Sequence, residues 1–504
     1  MQFRMLTLTL RVVVAVCALT PCAAVAERVA LVIGMGAYEY VGPLDNTIND
    51  ATGIADTLET IGFNVTLSLN ATQATLLDQM DEFKFRAETA DLALIYYAGH
   101  GVEVQGQNYL IPVDANVTSN ADVLRLSVSL DQMLNAVDSA RMMRIVILDA
   151  CRNNPFGDLI DTNVNADGSP ATEGATRSAG VAGLAPVDPN RGTLIAYAQR
   201  SGEVALDGST SNSPFARALM EQMQVPGVEI GLMFRQVRDE VLAETRNLQE
   251  PYVNNSLSGT PFYLAGPADG QVDVATITDP QQAWADLSID QEAQLIAQAD
   301  TGDTRSLLGL AYVRLNPADS RYNLSEAVSY MQRAADAGMA DAQFELAKLY
   351  EQGVGVPADP VRALELYNAS AAQDFPDALN DLGFLYYNGG LGLTADPAKA
   401  LDYFRQAADQ RHPEALFNYA TLIDAGQIAG KGPQDAGQYL YLALRSGSQS
   451  VYDQLMAQPD AFSIAARIAL QERLQSNEFY AGALDGDFGA GTQAAIRVAY
   501  GLTE

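Results

Sequence analysis

Ile147-Leu148-Asp149-Ala150-Cys151-Arg152-Asn153-Asn154-Pro155-Phe156 carries an apolar run straight into a thiol, and Tyr96-Tyr97-Ala98-Gly99-His100-Gly101 carries another into an imidazole. The apolar runs, Arg144 to Leu148 and Leu92 to Ala98, have the length and residue types of buried strands. In open parallel sheets the crevice beyond the carboxyl ends of the strands is where ligands bind, so two such strands side by side present a base next to a nucleophile. A free thiol has a pKa of about 8.5 and is mostly protonated at neutral pH; a neighbouring imidazole that accepts its proton turns it into a working nucleophile. The bland alternative is a buried thiol and a hydrogen-bonded histidine at two unrelated strand ends.

Working outward, residues 28 to 264 alternate apolar runs with helical patterns, the βαβα signature of a mainly parallel sheet with helices on both faces. The expected strands are Val29 to Gly34, Asn64 to Leu69, Leu92 to Ala98, Arg144 to Leu148, Thr193 to Ala198 and Pro261 to Leu264. Asn46 to Thr60 places Ile48, Ala51, Ile54, Ala55 and Leu58 at helical spacing, and Ser213 to Met223 starts a helix with Pro214 in its first turn. Between Gly157 and Gly192 the composition turns to Gly, Ala, Asp, Asn and Pro, which reads as a long loop of the functional kind. Ala265 to Pro280 reads as an interdomain linker, and residues 265–299 as linker and leading helix.

The whole chain has 504 residues, too many for one core, with 48% hydrophobic and 18% charged residues. Residues 1–26 have Arg4 and Arg11 as their only charges, an apolar stretch around Val12 to Val16, and small residues at Ala24-Val25-Ala26, the pattern of a cleaved export signal. The apolar core is shorter than the ~20 residues of a spanning helix. A periplasmic or secreted location in a Gram-negative envelope is expected. Export leaves 28 basic against 62 acidic residues, a formal charge near −34, which argues against nucleic acid and anionic lipid as partners. Cys17 and Cys22 leave with the signal, so Cys151 remains as a lone thiol with no disulfide partner. In an oxidising compartment such a thiol is either buried and inert or kept for its reactivity.

Beyond the linker the chain repeats at a period of about 36 to 38 residues, which signals stacked helix pairs. Leu308, Leu346 and Leu382 recur, as do Tyr312, Tyr350 and Tyr386, and Ala342, Ala378 and Ala415. Gly353-Val354-Gly355 before Asp359-Pro360 is echoed by Gly390-Leu391-Gly392 before Asp396-Pro397. Residues 300–447 resemble Sel-like repeats, relatives of the tetratricopeptide family, in about four copies; the resemblance implies an all-α solenoid that binds proteins. His412 sits at a repeat junction and reads as a solvated helix-end residue. Residues 460–504, with Arg467-Ile468-Ala469-Leu470-Gln471, Leu474 and Tyr480-Ala481-Gly482-Ala483-Leu484-Asp485-Gly486-Asp487-Phe488-Gly489, resemble a small three-helix peptidoglycan-binding domain, which implies peptidoglycan as a partner.

The strand before Gly-His-Gly, followed by Asp-Ala-Cys on a later strand, resembles the caspase and metacaspase clan. In caspases the His lies about 50 residues before the Cys; here the spacing is 51. The likeness spans residues 27–264, including Gly192 to Ala198 and Asn212-Ser213-Pro214-Phe215, and is nearest to bacterial caspase-like proteins. It implies an α/β caspase-haemoglobinase-like domain, His100 as general base, Cys151 as nucleophile, and the Gly101 and Cys151 amides as oxyanion donors. Metacaspases cut after Arg or Lys using acids in the first substrate pocket. Asp50 and Asp149 match those acids and suit a cationic side chain; read without the family, Asp50 is a helix-capping carboxylate.

Departures limit the transfer. Ala98 stands where many metacaspases have serine, and 13 residues between His100 and Asp114 leave no room for their acidic calcium loop. Gln199-Arg200-Ser201 lacks the paired acids as well. No metal ligand set or cofactor is therefore expected, and calcium is disfavoured, although Asp158 and the acids of the 157–192 loop could still hold an ion. Arg177 and Arg191 are the expected self-cleavage sites of an enzyme with basic specificity. The reading is a cysteine endopeptidase acting on proteins or peptides with basic residues, and its rival is a non-catalytic or wall-associated scaffold that binds proteins through its repeats.

Overall fold

The computed structural model describes residues 27–151, 156, 187, 189, 192–200, 211–257, 261–266, 284 and 289–502, with the backbone alone at Cys151, at 289–291 and at 294. The export signal, Asp158, Arg177, Arg191 and most of the linker lie outside the described residues.

Strand β1 (Arg28–Gly34) is buried along its whole length, as an apolar run covered on both faces must be. Helix α1 (Thr47–Thr60) leads to β2 (Asn64–Leu69), and α2 (Gln73–Ala87), capped by the Thr72 hydroxyl, leads to β3 (Leu92–Val104). The hairpin strand β4 (Gln107–Leu110), helix α3 (Asn120–Leu126), the short β5 (Val128–Ser129) and α4 (Leu130–Val137) precede β6 (Met143–Cys151). Then come β7 (Thr193–Tyr197), α5 (Pro214–Met223), α6 (Ile230–Glu244) and β8 (Tyr252–Asn255). The sheet order is β2-β1-β3-β6-β7-β8. All neighbours are parallel except β7 and β8. One apolar cluster lies under α2 and α4, and a second under α1, α5 and α6, so both sheet faces are covered.

Three strand expectations need correction. β3 does not stop at Ala98 but runs on to Val104, and β6 runs past Leu148 to Cys151. Gly99 lies inside β3 and marks a close approach: a Cβ there would lie 2.6 Å from the Tyr97 hydroxyl and 2.7 Å from that of Tyr38. Pro261 to Leu264 forms only a single bridge, from Tyr263 to Glu229; the last strand is β8, an edge strand too polar to show a hydrophobic pattern.

The repeats form helix pairs, Thr304–Leu315 with Leu324–Asp336, Ala340–Gln352 with Pro360–Ala371, Pro376–Asn388 with Pro397–Asp409, and Pro413–Asp424 with Pro433–Arg445. Ala342, Ala378 and Ala415 are fully buried where helices meet, and Asp359 and Asp396 cap helices that open on proline. The glycine equivalent to Gly353 is Gly389 rather than Gly390: both close their helices in the left-handed region, at φ 73° and 76°. His412 does end a helix, accepting from the Ala415 amide at 3.2 Å, but its side chain is 12% exposed and so is not solvated. Burial first, and then the charge of Asp377, push the Asp381 carboxyl up to about 6. That contribution to stability is full below the ordinary Asp range and is lost as pH rises through about 6. Asp381→Asn is therefore expected to raise the melting temperature near pH 8 and to leave it unchanged near pH 3.5, read by paired thermal scans.

Residues 460–502 contain two helices, Ile464–Ser476 and Ala490–Tyr500, rather than three; the preceding helix is Gln449–Ala457. They share one apolar core with the repeats. The Asp485 to Gly489 turn wraps around fully buried Gln471, whose amide donates to the Asp487 carbonyl and Thr492 hydroxyl and accepts from the Gly486 amide. A Cβ on Gly437 would lie 2.5 Å from Ala469 Cβ and 2.6 Å from its backbone carbon, which sets how closely the last repeat meets this module. Gly437→Ala is expected to cost about 1–3 kcal/mol, measured by urea unfolding.

Both ends of the helical array are fastened to the α/β domain. Arg305 pairs with Glu229 near the start. Near the end, the Arg445 guanidinium, 5% exposed, pairs with Glu88 at 3.1 Å and donates to the Phe85 carbonyl at 3.0 Å.

Candidate active site

β3 and β6 are adjacent and parallel, and their register sets Ala98 opposite Asp149, Gly99 opposite Ala150, and His100 opposite Cys151. The two residues singled out by chemistry thus occupy one rung at the carboxyl end of the sheet. His100 is 7% exposed and tightly held. Its amide donates to the Tyr38 hydroxyl at 2.7 Å, and its carbonyl accepts from the Tyr97 hydroxyl at 2.8 Å and the Ile111 amide at 3.0 Å. The Tyr38 ring lies against the imidazole, centroids 4.6 Å apart, and Nε2 is 3.5 Å from the Gly42 carbonyl. Because Ile111 donates to His100, Gly101 and Leu110 form a non-hydrogen-bonded pair, and the Gly101 amide points away from β4 toward the β6 side. Gly101 and Cys151 adjoin the last rung of the β3–β6 ladder, so a substrate oxygen meets both amides only where that rung opens.

Asp50, from α1, and Asp149, from β6, are 2% and 8% exposed and converge on one residue, Ser213. The Ser213 amide donates to Asp50 Oδ1 at 3.0 Å, and its hydroxyl donates to Asp149 Oδ2 at 2.9 Å. Asn212 Nδ2 adds a bond to Asp50 Oδ1 at 3.0 Å and the Tyr96 hydroxyl one to Asp149 Oδ2 at 3.0 Å. The donors to Asp50 belong to another element, and the N-cap position of α1 is Asn46. Burial, then the charges of Asp149 and Asp50, raise the Tyr96 phenol well above its ordinary value, so it stays a protonated donor.

Sequence reasoning missed Tyr38, Tyr96, the Gly42 carbonyl and the role of Ser213. Asn212-Ser213-Pro214-Phe215 was the one signal available, and it reads as a helix start. Among the described residues no group of three His, Cys, Asp or Glu is arranged to hold a metal ion.

Residues 27–263 match the family model of the caspase domain, and residues 304–339, 340–375 and 376–412 match that of the Sel1 repeat. The chain carries a caspase domain followed by Sel1 repeats. Over 142 residues the chain is 29% identical to the mucosa-associated lymphoid tissue lymphoma translocation protein 1 homolog of Mus musculus and equally to its Homo sapiens counterpart. The match covers 27% of this chain and only 16% of either relative. A crystal structure of a Sel1 repeat protein from Oxalobacter formigenes is 28% identical over 25% of this chain and 94% of that one, with a TM-score of 0.24.

Proposed function

We propose that the caspase domain is a cysteine endopeptidase that cleaves proteins after Arg or Lys through a His100/Cys151 dyad. The observation that carries the reading is the pair of buried carboxylates, Asp50 and Asp149, beside the rung that sets His100 against Cys151. Two carboxylates held close together through Ser213 suit a guanidinium or ammonium, the groups that pair best with carboxylates.

In this reading a carbonyl at Gly42, which only accepts, keeps the imidazole proton on Nε2 and leaves Nδ1 as the base. The Cys151 thiol gives its proton to His100, and the thiolate attacks the carbonyl carbon after the basic residue. The tetrahedral oxyanion collapses with cleavage of the C–N bond, and His100 protonates the departing amine. Water then attacks the thioacyl carbon with His100 taking its proton, releasing the carboxylate product and restoring the thiol. The Gly101 and Cys151 amides serve the oxyanion once the last rung opens.

The mature chain is expected to hydrolyse fluorogenic peptides ending in Arg or Lys and not those ending in Asp, with or without calcium. Cleavage confined to Asp would overturn the pocket assignment. No cleavage under any condition would favour the scaffold, a reading supported by helical repeats fastened to the caspase domain at both ends. Export to the periplasm and retention on peptidoglycan by residues 460–504 complete the proposal, and cell fractionation and a pull-down on purified peptidoglycan test them.

A further inference from the structure

We propose that Ser213 is a positioning residue that joins Asp50 and Asp149 into one cation pocket and thereby sets the preference for a basic side chain. The proposal rests on the reading of these two acids as the first substrate pocket.

A serine at an N-cap needs only to accept a hydrogen bond, and Ser213 does so from the Ala216 amide at 3.0 Å. Its hydroxyl proton is then spare for the helix, yet it is committed to Asp149 Oδ2, 64 residues away in sequence, while its amide is committed to Asp50 Oδ1. Asp50 and Asp149 come from a helix and a strand on either side of this serine, and no ladder ties one to the other. Ala98, the register partner of Asp149, has no side-chain donor to offer. Like charges brought together out of water repel, and each donor that turns a carboxylate oxygen inward lowers that cost. Ser213, itself 4% exposed, contributes one donor to each acid and draws on a single oxygen of each. It thereby fixes the direction in which both carboxylates face an incoming cation.

The test is a binding measurement on full-length Cys151→Ala, which cannot turn over: calorimetry with a short acetylated peptide ending in Arg and a matched peptide ending in Ala. Adding Ser213→Ala is expected to weaken the Arg peptide about tenfold or more while the Ala peptide changes little, the effect of losing a hydrogen bond to a charged group. Ser213→Gly keeps most of the helix capping but lacks the hydroxyl, so it should weaken the Arg peptide as much as Ser213→Ala despite a smaller loss of melting temperature. Ser213→Thr should restore binding. Weakening that follows melting temperature rather than the hydroxyl, or that is equal for the two peptides, overturns the proposal, as does an Arg peptide bound no tighter than the Ala peptide before Ser213 is changed. Failure of the wild type to cleave would count against the dyad alone, because this measurement needs no catalysis.

Discussion

On the proposed reading, Cys151→Ala is expected to abolish hydrolysis of Arg-ended and Lys-ended peptides, and His100→Ala to lower kcat nearly as far. The expected loss is about 10⁵-fold or more, because nucleophile and base act as one unit and removing either removes most of what both supply. The two single variants and the double variant should therefore lie within about tenfold of one another, whereas two independent contributions would multiply. The physical basis is the register of β3 with β6, which sets His100 opposite Cys151. Because Cys151 is the lone cysteine after residue 26, a thiol reagent labels a single site, and mass spectrometry reads its rate directly. His100→Ala should slow that labelling at neutral pH by removing the group that takes the thiol proton. Labelling at an unchanged rate would mean that the imidazole does not act on the thiol.

Asp149→Asn is expected to produce the second large effect, a fall of about 10² to 10³ in kcat/KM for peptides ending in Arg, carried chiefly by KM. Removing one charge of a buried, hydrogen-bonded recognition pair costs this much because the incoming cation must then be desolvated with less to meet it. Asp50→Asn should act in the same direction, and the double variant should lose its preference for basic over neutral side chains. Thiol labelling is expected to stay near the wild-type rate in all three, which separates pocket from dyad. Tyr96 offers a second readout: its phenol is raised by burial first and then by the charges of Asp149 and Asp50, so either substitution should lower its titration toward the ordinary value, followed by ultraviolet difference spectroscopy. A basic preference that survives the double substitution would sink the pocket assignment.

Much of this organisation was legible before folding. Asn64–Leu69 emerges with the bounds its residues suggest, because a short alternating β-prone segment flanked by turn residues needs no distant information. The helix opened by Ser213-Pro214 is equally local. The misreadings have tertiary causes. β3 continues past Ala98 because β4 folds back to pair with Gly101 to Val104, a partner no local pattern announces. β8 has no hydrophobic alternation because it is an edge strand, and its pairing with β7 is visible only in the sheet. The expected three-helix module ends as two helices sharing a core with the repeats, because Gly437 and Ala469 bring them into contact.

By itself, the amino-acid sequence determined the alternation that makes an α/β domain, the period that makes helix pairs, and the placing of the lone cysteine after residue 26 and of a histidine just beyond apolar runs. These are properties of neighbours along the chain, where hydrophobic pattern and backbone preference decide. Only the tertiary structure decided that those strands are adjacent and in register, and that Asp50 and Asp149 converge on Ser213. It alone decided that a serine which would cap its helix in any case spends its hydroxyl proton on a carboxylate 64 residues away. Such contacts depend on burial, which removes water as the competing partner and makes each donor's choice of acceptor a matter of three-dimensional packing.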